Sequence, residues 1–540
     1  MKITGAEAMV KCLENEGVSV VFGYPGATIC PFYDRLSHSP IRHVLVRHEQ
    51  NAGHAASGYA RISGKVGVCA ATSGPGALNL ITALATAYMD SIPLVAITGQ
   101  VQSDLLGRDV FQEADITGAA EPFTKHSFLI KDVTELPRIF KEAFYIASTG
   151  RPGPVLIDIP IDIQQAEFDF SYPAGVSIRG YKPSTKGHVV QMKRVVDAIT
   201  HSERPVICAG GGVIAAGAKR ELREYAEKCG IPVVSTMMGI GVLPSGHPLY
   251  LGMLGTYGTS AANLAIGEAD LLIIIGARVG DRAVATPGML SQRTQVIHID
   301  IDPAEIGKNM GTAIPLVGDA KQILTQLYDM TPGTDFSQWL LQARQWREEV
   351  SFDLGERKGY INPRAFIRSL SAALPDDAVI VSDVGQNQIW TANHCNVRPG
   401  GRFFTTGGMG TMGYAIPAAV GAKFADPGRM VVAVCGDGAF QMQMMELATV
   451  CQENLNLKII LMKNGQLGMI RELQKKQYKG NYMAVGLDGG PDYGKIAGAY
   501  GIRAAGIREQ SQAGEAIEEM LSHDGPYLLQ CLVRPDEPSL

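Results

Sequence analysis

Apolar and polar positions alternate in blocks along this chain, and the blocks have the lengths of strands and helices rather than of loops. Met430 to Cys435 is an unbroken apolar, β-branched run, which predicts a strand buried on both faces. Gly436-Asp437-Gly438 interrupts it with a turn that only small residues allow. Gln441 to Asn454 has helix-forming residues with its apolar positions on one face. Leu457 to Met462 predicts a second strand, closed by a second turn at Asn464-Gly465. A right-handed strand–helix–strand unit makes the two strands parallel, so both turns lie at one edge of the sheet. Asp437 and Asn464 can therefore converge on one point.

The same alternation runs through the whole chain. Val18 to Phe22 predicts a strand ending in Gly23-Tyr24-Pro25-Gly26, and Val66 to Ala71 one ending in Thr72-Ser73-Gly74-Pro75-Gly76. Ala77 to Met89 predicts a helix and Leu94 to Thr98 a third strand. Asp169 to Gly187 is polar with Pro and Gly and reads as a linker. Further strands are expected at Pro205 to Ala209, Pro232 to Ser235, Leu271 to Ile275 and Val296 to Ile301, then a charged connector with helical, Trp-rich turns from Thr331 to Asn362. Ala378 to Asp383 opens the last set. The expected fold class is α/β: three doubly wound domains with mainly parallel sheets, over residues 1–170, 188–330 and 360–540. In such sheets a site is expected along the carboxyl edge.

Composition narrows the class. A chain of 540 residues is too long for one core. Hydrophobic residues make up 46% and charged ones 19%, as in a soluble globular protein, and the net charge of −5 gives no reason to expect a nucleic-acid partner. The nine cysteines are scattered without a CxxC pair, which points to free thiols and against zinc. No secretory leader or membrane-length apolar run is apparent, so a cytoplasmic protein with no membrane partner is expected.

The candidate chemistry begins with Asp437 and Asn464. A carboxylate and an amide oxygen are hard ligands that suit Mg²⁺, which usually shares its shell with phosphate oxygens. The glycines beside them let backbone N–H groups approach a diphosphate at a helix N-terminus. Asp437 as a simple helix cap is the competing reading, and GDG alone would favour it. Glu49 stands between the apolar run Val44 to Val46 and a small-residue helix, Ala52 to Arg61, where it too could cap a helix. Gly210-Gly211-Gly212 follows a strand but is not a strict GxGxxG, so it is a weak dinucleotide signal.

GDG, a crossover, and Lys463-Asn464 resemble the signature of the thiamine diphosphate enzymes. GYPGA, RHEQNAGHAASGYAR, TSGPGALNLITALATAYMDSIPLVAITGQV, FQEADITG, TKHSF and RPGPVLIDIP together resemble the acetohydroxyacid synthases, over nearly the whole chain. The resemblance implies a carboligase that decarboxylates pyruvate and passes the two-carbon hydroxyethyl unit to a second 2-keto acid, giving 2-acetolactate. It makes the first domain the pyrimidine-binding one, the second FAD-type and the third the diphosphate-binding one. It implies Asp437, Asn464 and the carbonyl of Gln466 as Mg²⁺ ligands, with Gly438 and Ala439 beside the diphosphate. Gly385, Gln386 and Asn387 face the diphosphate, Gly410 the 4′-amino group, and Met412 props the bent cofactor, although a methionine there could also be core filler. Glu49 bonds N1′ of the aminopyrimidine, Gly26 shapes an oxyanion region, and Phe111 and Gln112 line the site. For the last pair, loop packing competes, more so for Phe111; His48 is read as structural. FAD is implied at Gly210, Gly211, Gly212, Thr236, Gly276, Arg278, Asp300 and Asp319, with Arg151 reaching across. Arg278 also holds the acceptor's carboxylate, a bidentate task that suits a guanidinium. The two halves of the family's site come from different subunits, so a homodimer or homotetramer is expected, and a regulatory small subunit is a possible partner.

Several positions depart from the family. Lys463 replaces the first Asn of the pair, Ile161 a Lys, Val279 the Phe of RFDDR, Thr256 a Met, and Leu473 a Trp that favours 2-ketobutyrate. The chain stops at Leu540, so the C-terminal arm that covers the family's site is expected to be missing. These changes touch the acceptor side and leave the thiamine side intact. The competing activities are a lyase with an aldehyde or a proton as acceptor, and a pyruvate-oxidising flavoenzyme. A non-catalytic scaffold fits poorly with retained Glu49, Asp437 and Asn464, and an NAD-dependent dehydrogenase needs neither Glu49 nor Asn464.

Overall fold

The computed structural model describes residues 2–283 and 294–540. It contains three six-stranded sheets, each wholly parallel. The first has the spatial order Arg42–Leu45, Val20–Tyr24, Gly67–Ala71, Leu94–Gln100, Pro154–Pro160, His126–Leu129. The second runs Tyr250–Met253, Val233–Ser235, Pro205–Ala209, Leu271–Ile275, Gln295–Asp300, Ile314–Val317. The third runs Arg402–Phe404, Val379–Ser382, Val431–Gly436, Leu457–Lys463, Tyr527–Leu532, Arg503–Ile507.

Alternation within a strand feeds two cores, one per face, which is the physical content of double winding. In the first sheet Val68, Ala70, Val95 and Ile97 face one core, and Cys69, Ala71, Leu94 and Ala96 face the other. In the third sheet Val432, Val434 and Ile460 face away from Val431, Ala433 and Ile459. One of these cores is common to the first and third sheets. There the helix Glu49–Ser63 crosses the helix Ala415–Ala425 at very close range. A β-carbon at Gly58 would lie 1.9 Å from the Ala418 carbonyl oxygen, and one at Gly421 would lie 1.8 Å from that of Ala55. Two glycines and a run of alanines let the backbones approach this far.

Some elements differ from the sequence expectation. The helix expected over Ala77 to Met89 is two, Pro75–Asn79 and Ile81–Asp90. The helix expected from Gln441 begins at Asp437 and is interrupted by a 3₁₀ turn at Met444–Glu446. Strands Tyr250–Met253 and Ile314–Val317, short and interrupted by Gly or Pro, escaped the pattern. The helical turns expected in the connector form the helix Ser337–Glu349, whose Trp339 packs into the core of the second domain and donates Nε1 to the Pro205 carbonyl at 3.0 Å. Phe170, Tyr172 and Tyr181 of the linker pack on the first domain. All nine cysteines are unpaired, and among the described residues no helix is long and apolar enough to cross a membrane.

Candidate active site

The register Gly436↔Met462 sets the two turns of the third sheet side by side. The N–H of Gly465 reaches back to Asp437 Oδ2 at 2.7 Å, while Gly438 N–H meets Oδ1 at 3.1 Å. Burial pushes Asp437 up to about 6, and these amides and the Lys463 ammonium act against that rise. Lys463 lies 5.3 Å from the Tyr493 ring centre, in cation–π range. Asn464 Oδ1 accepts from Gln466 N–H at 2.9 Å, and its Nδ2 donates to Gln386 Oε1 at 3.0 Å. Asp437, Asn464, Gln466 and Gln386 therefore form one connected turn cluster. Asn387 lies close by: its Nδ2 donates to the Asp383 carbonyl at 2.9 Å, and a β-carbon at Gly436 would lie 3.1 Å from its Oδ1. Gly385 precedes the helix Gln386–His394 with φ 139°, a conformation glycine tolerates. A β-carbon on Gly438 would meet Leu467 at 2.8 Å and Met412 at 3.4 Å, and Ala439 is buried behind it. Among the described residues no three His, Cys, Asp or Glu side chains are grouped so that they could hold a metal ion by themselves. One carboxylate with amide and carbonyl oxygens matches a cation that completes its shell with phosphate.

Asp383 escaped the sequence reading. Its buried carboxyl accepts the N–H groups of Val384 (2.8 Å), Gly413 (2.9 Å) and Ala415 (2.9 Å), and burial pushes it up to about 6. It ties down the loop bearing Gly410, which has φ 64°, and Met412. An acid at the end of a strand, next to Val-Gly, has no pattern that announces this role.

At the carboxyl edge of the first sheet Glu49 opens the helix Glu49–Ser63. The cap is supplied by His48, whose Nδ1 accepts from Gln50 N–H at 3.2 Å, so Glu49 is not needed as the cap. Its Oε2 accepts from Asn79 Nδ2 at 3.0 Å, a partner the sequence did not suggest. A β-carbon at Gly76 would lie 3.2 Å from Glu49 Oε1, and ones at Gly26 and Gly76 would both meet Thr72. Gln112 has φ 59° and packs against Gly74. Glu49, Gly26 and Gln112 are thus gathered around the Thr72–Gly76 turn. Phe111 is 85% exposed, so loop packing within this chain does not account for it.

Around Glu49, the neighbours Arg47 and Asn51 bond Glu446 of the third domain at 3.2 and 2.6 Å. Among the described residues no hydrogen bond links Glu49 itself to Asp437, Asn464, Gly410 or Met412.

At the second sheet the glycine turn closes on itself. Gly212 N–H donates to the Gly276 carbonyl at 2.9 Å, and β-carbons at Gly210 or Gly212 would collide with Gly276. Backbone packing alone thus demands those glycines, and Gly211 sits against Met238. Thr236 N–H bonds the Ala209 carbonyl at 3.0 Å. Asp319 caps the helix Ala320–Met330, accepting from Gln322 N–H at 3.0 Å. Arg151 does reach across: it pairs with Glu305 at 2.7 Å and Asp302 at 3.4 Å. Burial pushes Asp300 up to about 6. Arg278 is half-buried, with Met89 Sδ 3.9 Å from Nη1 and Gly408 beside it, and burial disfavours its charge. The next residue, Val279, has φ 45°, a strained conformation for a β-branched side chain. Of the residues expected on the acceptor side, Thr256 N–H donates to the Arg282 carbonyl at 3.1 Å, and Leu473 is 41% exposed on the helix Gly468–Gln477. Ile161 starts the short helix Ile161–Gln165 at the end of the first sheet's fifth strand.

Residues 3–119, 192–327 and 383–531 match family models described as the N-terminal TPP binding domain, the central domain and the C-terminal TPP binding domain of thiamine pyrophosphate enzymes. The chain is 45% identical to a probable acetolactate synthase large subunit of Methanocaldococcus jannaschii, over 99% of this chain and 92% of that protein. It is 44% identical to an acetolactate synthase of Arthrospira platensis, over 99% and 95%. It is 43% identical to the acetolactate synthase large subunit of Corynebacterium glutamicum, over 99% and 87%. With the turn pair of the third sheet and the Glu49 edge of the first in place, and likeness at this level from end to end, the chain belongs to the acetolactate synthase family of thiamine pyrophosphate enzymes.

Proposed function

We propose that this protein is an acetolactate synthase: it decarboxylates pyruvate on thiamine diphosphate and transfers the two-carbon unit to a second 2-keto acid, giving 2-acetolactate. The observation that carries the reading is the meeting of Asp437 and Asn464 in adjacent turns. Those oxygens, with the carbonyl of Gln466, are suited to hold Mg²⁺ against a diphosphate, and the Gly385–Gln386 helix start offers it backbone N–H groups. The bound cofactor supplies a stabilised carbanion at C2, which is chemistry no side chain offers. Glu49 holds a proton at the pyrimidine N1′, Gly410 offers a carbonyl to the 4′-amino group, and Met412 fills the space beside Gly438. Arg278 is a half-buried cation suited to a keto-acid carboxylate.

The Glu49 and Asp437 edges belong to different domains, and the neighbours of Glu49 are engaged with Glu446 within the chain. A homodimer that sets one copy's Glu49 edge against the other's Asp437 edge is the assembly this favours, and exposed Phe111 fits such a surface. The name "large subunit" carried by relatives supports a smaller regulatory partner. FAD is proposed at the carboxyl edge of the second sheet, where Arg151 and Arg278 suit phosphates and Asp300 a ribose hydroxyl; the glycine turn adds little support.

Product analysis tests the reading. With pyruvate, Mg²⁺ and thiamine diphosphate, 2-acetolactate is expected; acetaldehyde or acetate as the sole product overturns it. Flavin absorbance that survives anaerobic pyruvate is expected, and its bleaching would favour an oxidase.

A further inference from the structure

Gln386 is the first residue of the helix Gln386–His394, and its buried side-chain amide is engaged at both ends. Nε2 donates to the Glu537 backbone carbonyl at 2.7 Å, and Oε1 accepts from Asn464 Nδ2 at 3.0 Å. The space is tight: a β-carbon at Gly468 would lie 1.9 Å from that Oε1. A peptide carbonyl can only accept, so the Glu537 carbonyl decides which end of the Gln386 amide is the NH₂. The opposite end is then an oxygen, which can also only accept. It must take the NH₂ of Asn464, and this leaves Asn464 Oδ1 on the other side, where Gln466 N–H meets it at 2.9 Å.

The Glu537 carbonyl is itself held in place. The Glu537 carboxylate is buried against Arg364 Nη1 at 2.5 Å and Arg357 Nε at 3.1 Å. Trp390 Nε1 and Arg364 Nη2 both donate to the Pro538 carbonyl, at 2.9 and 2.6 Å. Ser539 bonds Glu472 through N–H at 2.8 Å and Oγ at 2.7 Å. A segment more than seventy residues beyond Asn464 is thus fixed to the underside of the turn cluster by a buried ion pair and several main-chain bonds.

We propose that Gln386 and the Glu537 carbonyl are positioning groups that orient the Asn464 amide so that its oxygen, and not its NH₂, faces the Mg²⁺ site. The proposal rests on the reading of Asp437 and Asn464 as cation ligands. It gives the Gln386 side chain a different task from the diphosphate contact expected for that residue; the backbone N–H at the helix start remains for the diphosphate. Outer partners of metal ligands typically change affinity by about 10–100-fold when lost.

The test compares Gln386→Met, which keeps the volume and loses both bonds, in two backgrounds: unmodified and Asn464→Asp. A carboxylate presents oxygen whichever way it turns, so it needs no orienting partner. The readout is the Mg²⁺ concentration giving half-saturation of thiamine diphosphate binding, by calorimetry, with kcat at saturating Mg²⁺ alongside. In the unmodified background Gln386→Met is expected to raise that concentration about 10-fold, and in the Asn464→Asp background to change it less than about twofold. An equal rise in both backgrounds, or none in the first, overturns the proposal; any cost of the substitution to folding enters both backgrounds alike. Asp437→Ala separates the two levels. A raised Mg²⁺ requirement there, with none for Gln386→Met, overturns the positioning role alone, while an unchanged requirement in Asp437→Ala overturns the cation clamp and this proposal with it.

Discussion

Asn79 holds Glu49 by one oxygen, a bond that Gln in its place could keep. Glu49→Gln should therefore fold and bind thiamine diphosphate, yet lose turnover by about 100-fold or more, because an amide cannot share a proton at N1′. Deuterium exchange at C2 of the bound cofactor should slow in step; unchanged exchange would return Glu49 to a structural role in the first helical turn. A second acid acts on stability. Asp158 is buried between Thr98 Oγ1 at 2.6 Å and Gln100 Nε2 at 3.0 Å, and burial raises it to about 7 from 3.8. A raised acid contributes stability that is full below about 4 and is lost as pH rises through about 7. The melting temperature of the unmodified protein minus that of Asp158→Asn should accordingly fall from pH 5 to pH 8, because only the unmodified chain must give up a buried proton in that range; a rise contradicts the assignment. Gln100 also bonds the Ala114 carbonyl at 2.8 Å, so this acid steadies the loop that carries Gln112. The sequence offered Glu49, Asp437 and Asn464 because each stands at the end of an apolar run. It did not offer Asn79, Asp383 or Asp158, whose roles depend on which amide or hydroxyl happens to face them.

At the scale of elements, strands with continuous apolar runs were legible to within a residue or two, as Leu271–Ile275 and Pro205–Ala209 show. Helix continuity was less so: Leu80 separates two helices that the pattern had joined. The crossing of Glu49–Ser63 with Ala415–Ala425 was not legible at all, because a small-residue helix states that something comes close without saying what. Gly421→Ala should destabilise the protein by about 1–3 kcal/mol in chemical unfolding, since the added carbon must push two backbones apart. Gly498→Ala, in the helix Tyr493–Ala499 with nothing within 4 Å, should instead be neutral or stabilise by up to about 1 kcal/mol. An effect at Gly421 as mild as that at Gly498 would mean that helix propensity, not the crossing, sets the outcome.

At the scale of the whole molecule, the proposed acceptor side joins two domains. The loop of Thr256 and Tyr257 belongs to the second, and Tyr257 accepts from Asn393 of the third at 2.8 Å. The Glu472 carboxylate on the helix of Leu473 raises the Tyr257 phenol, though less than its burial does. A large aromatic wall rewards one extra methylene by about 1–3 kcal/mol in a fitted pocket. Leu473 supplies no such wall, so 2-acetolactate should form at least as readily as 2-aceto-2-hydroxybutyrate when pyruvate competes with 2-ketobutyrate. Leu473→Trp should move the product ratio toward the larger product; Leu473 is 41% exposed within the chain. A strong preference for the larger product in the unmodified protein would sink this account.

The order of apolar runs and glycine turns was enough, by itself, to assign three parallel α/β sheets and to put Asp437 and Asn464 at one edge, because strand period and crossover handedness are local rules. It was also enough to set Glu49 at the edge of another sheet. Tertiary structure alone decided that the first and third sheets share a core, that Arg151 pairs with Glu305, and that Gln386 links the Glu537 carbonyl to Asn464. Those contacts join residues that far apart in the chain carry no common period. Their partners are selected by shape and by the need to satisfy buried polar groups, and both of these exist only once the backbone has closed.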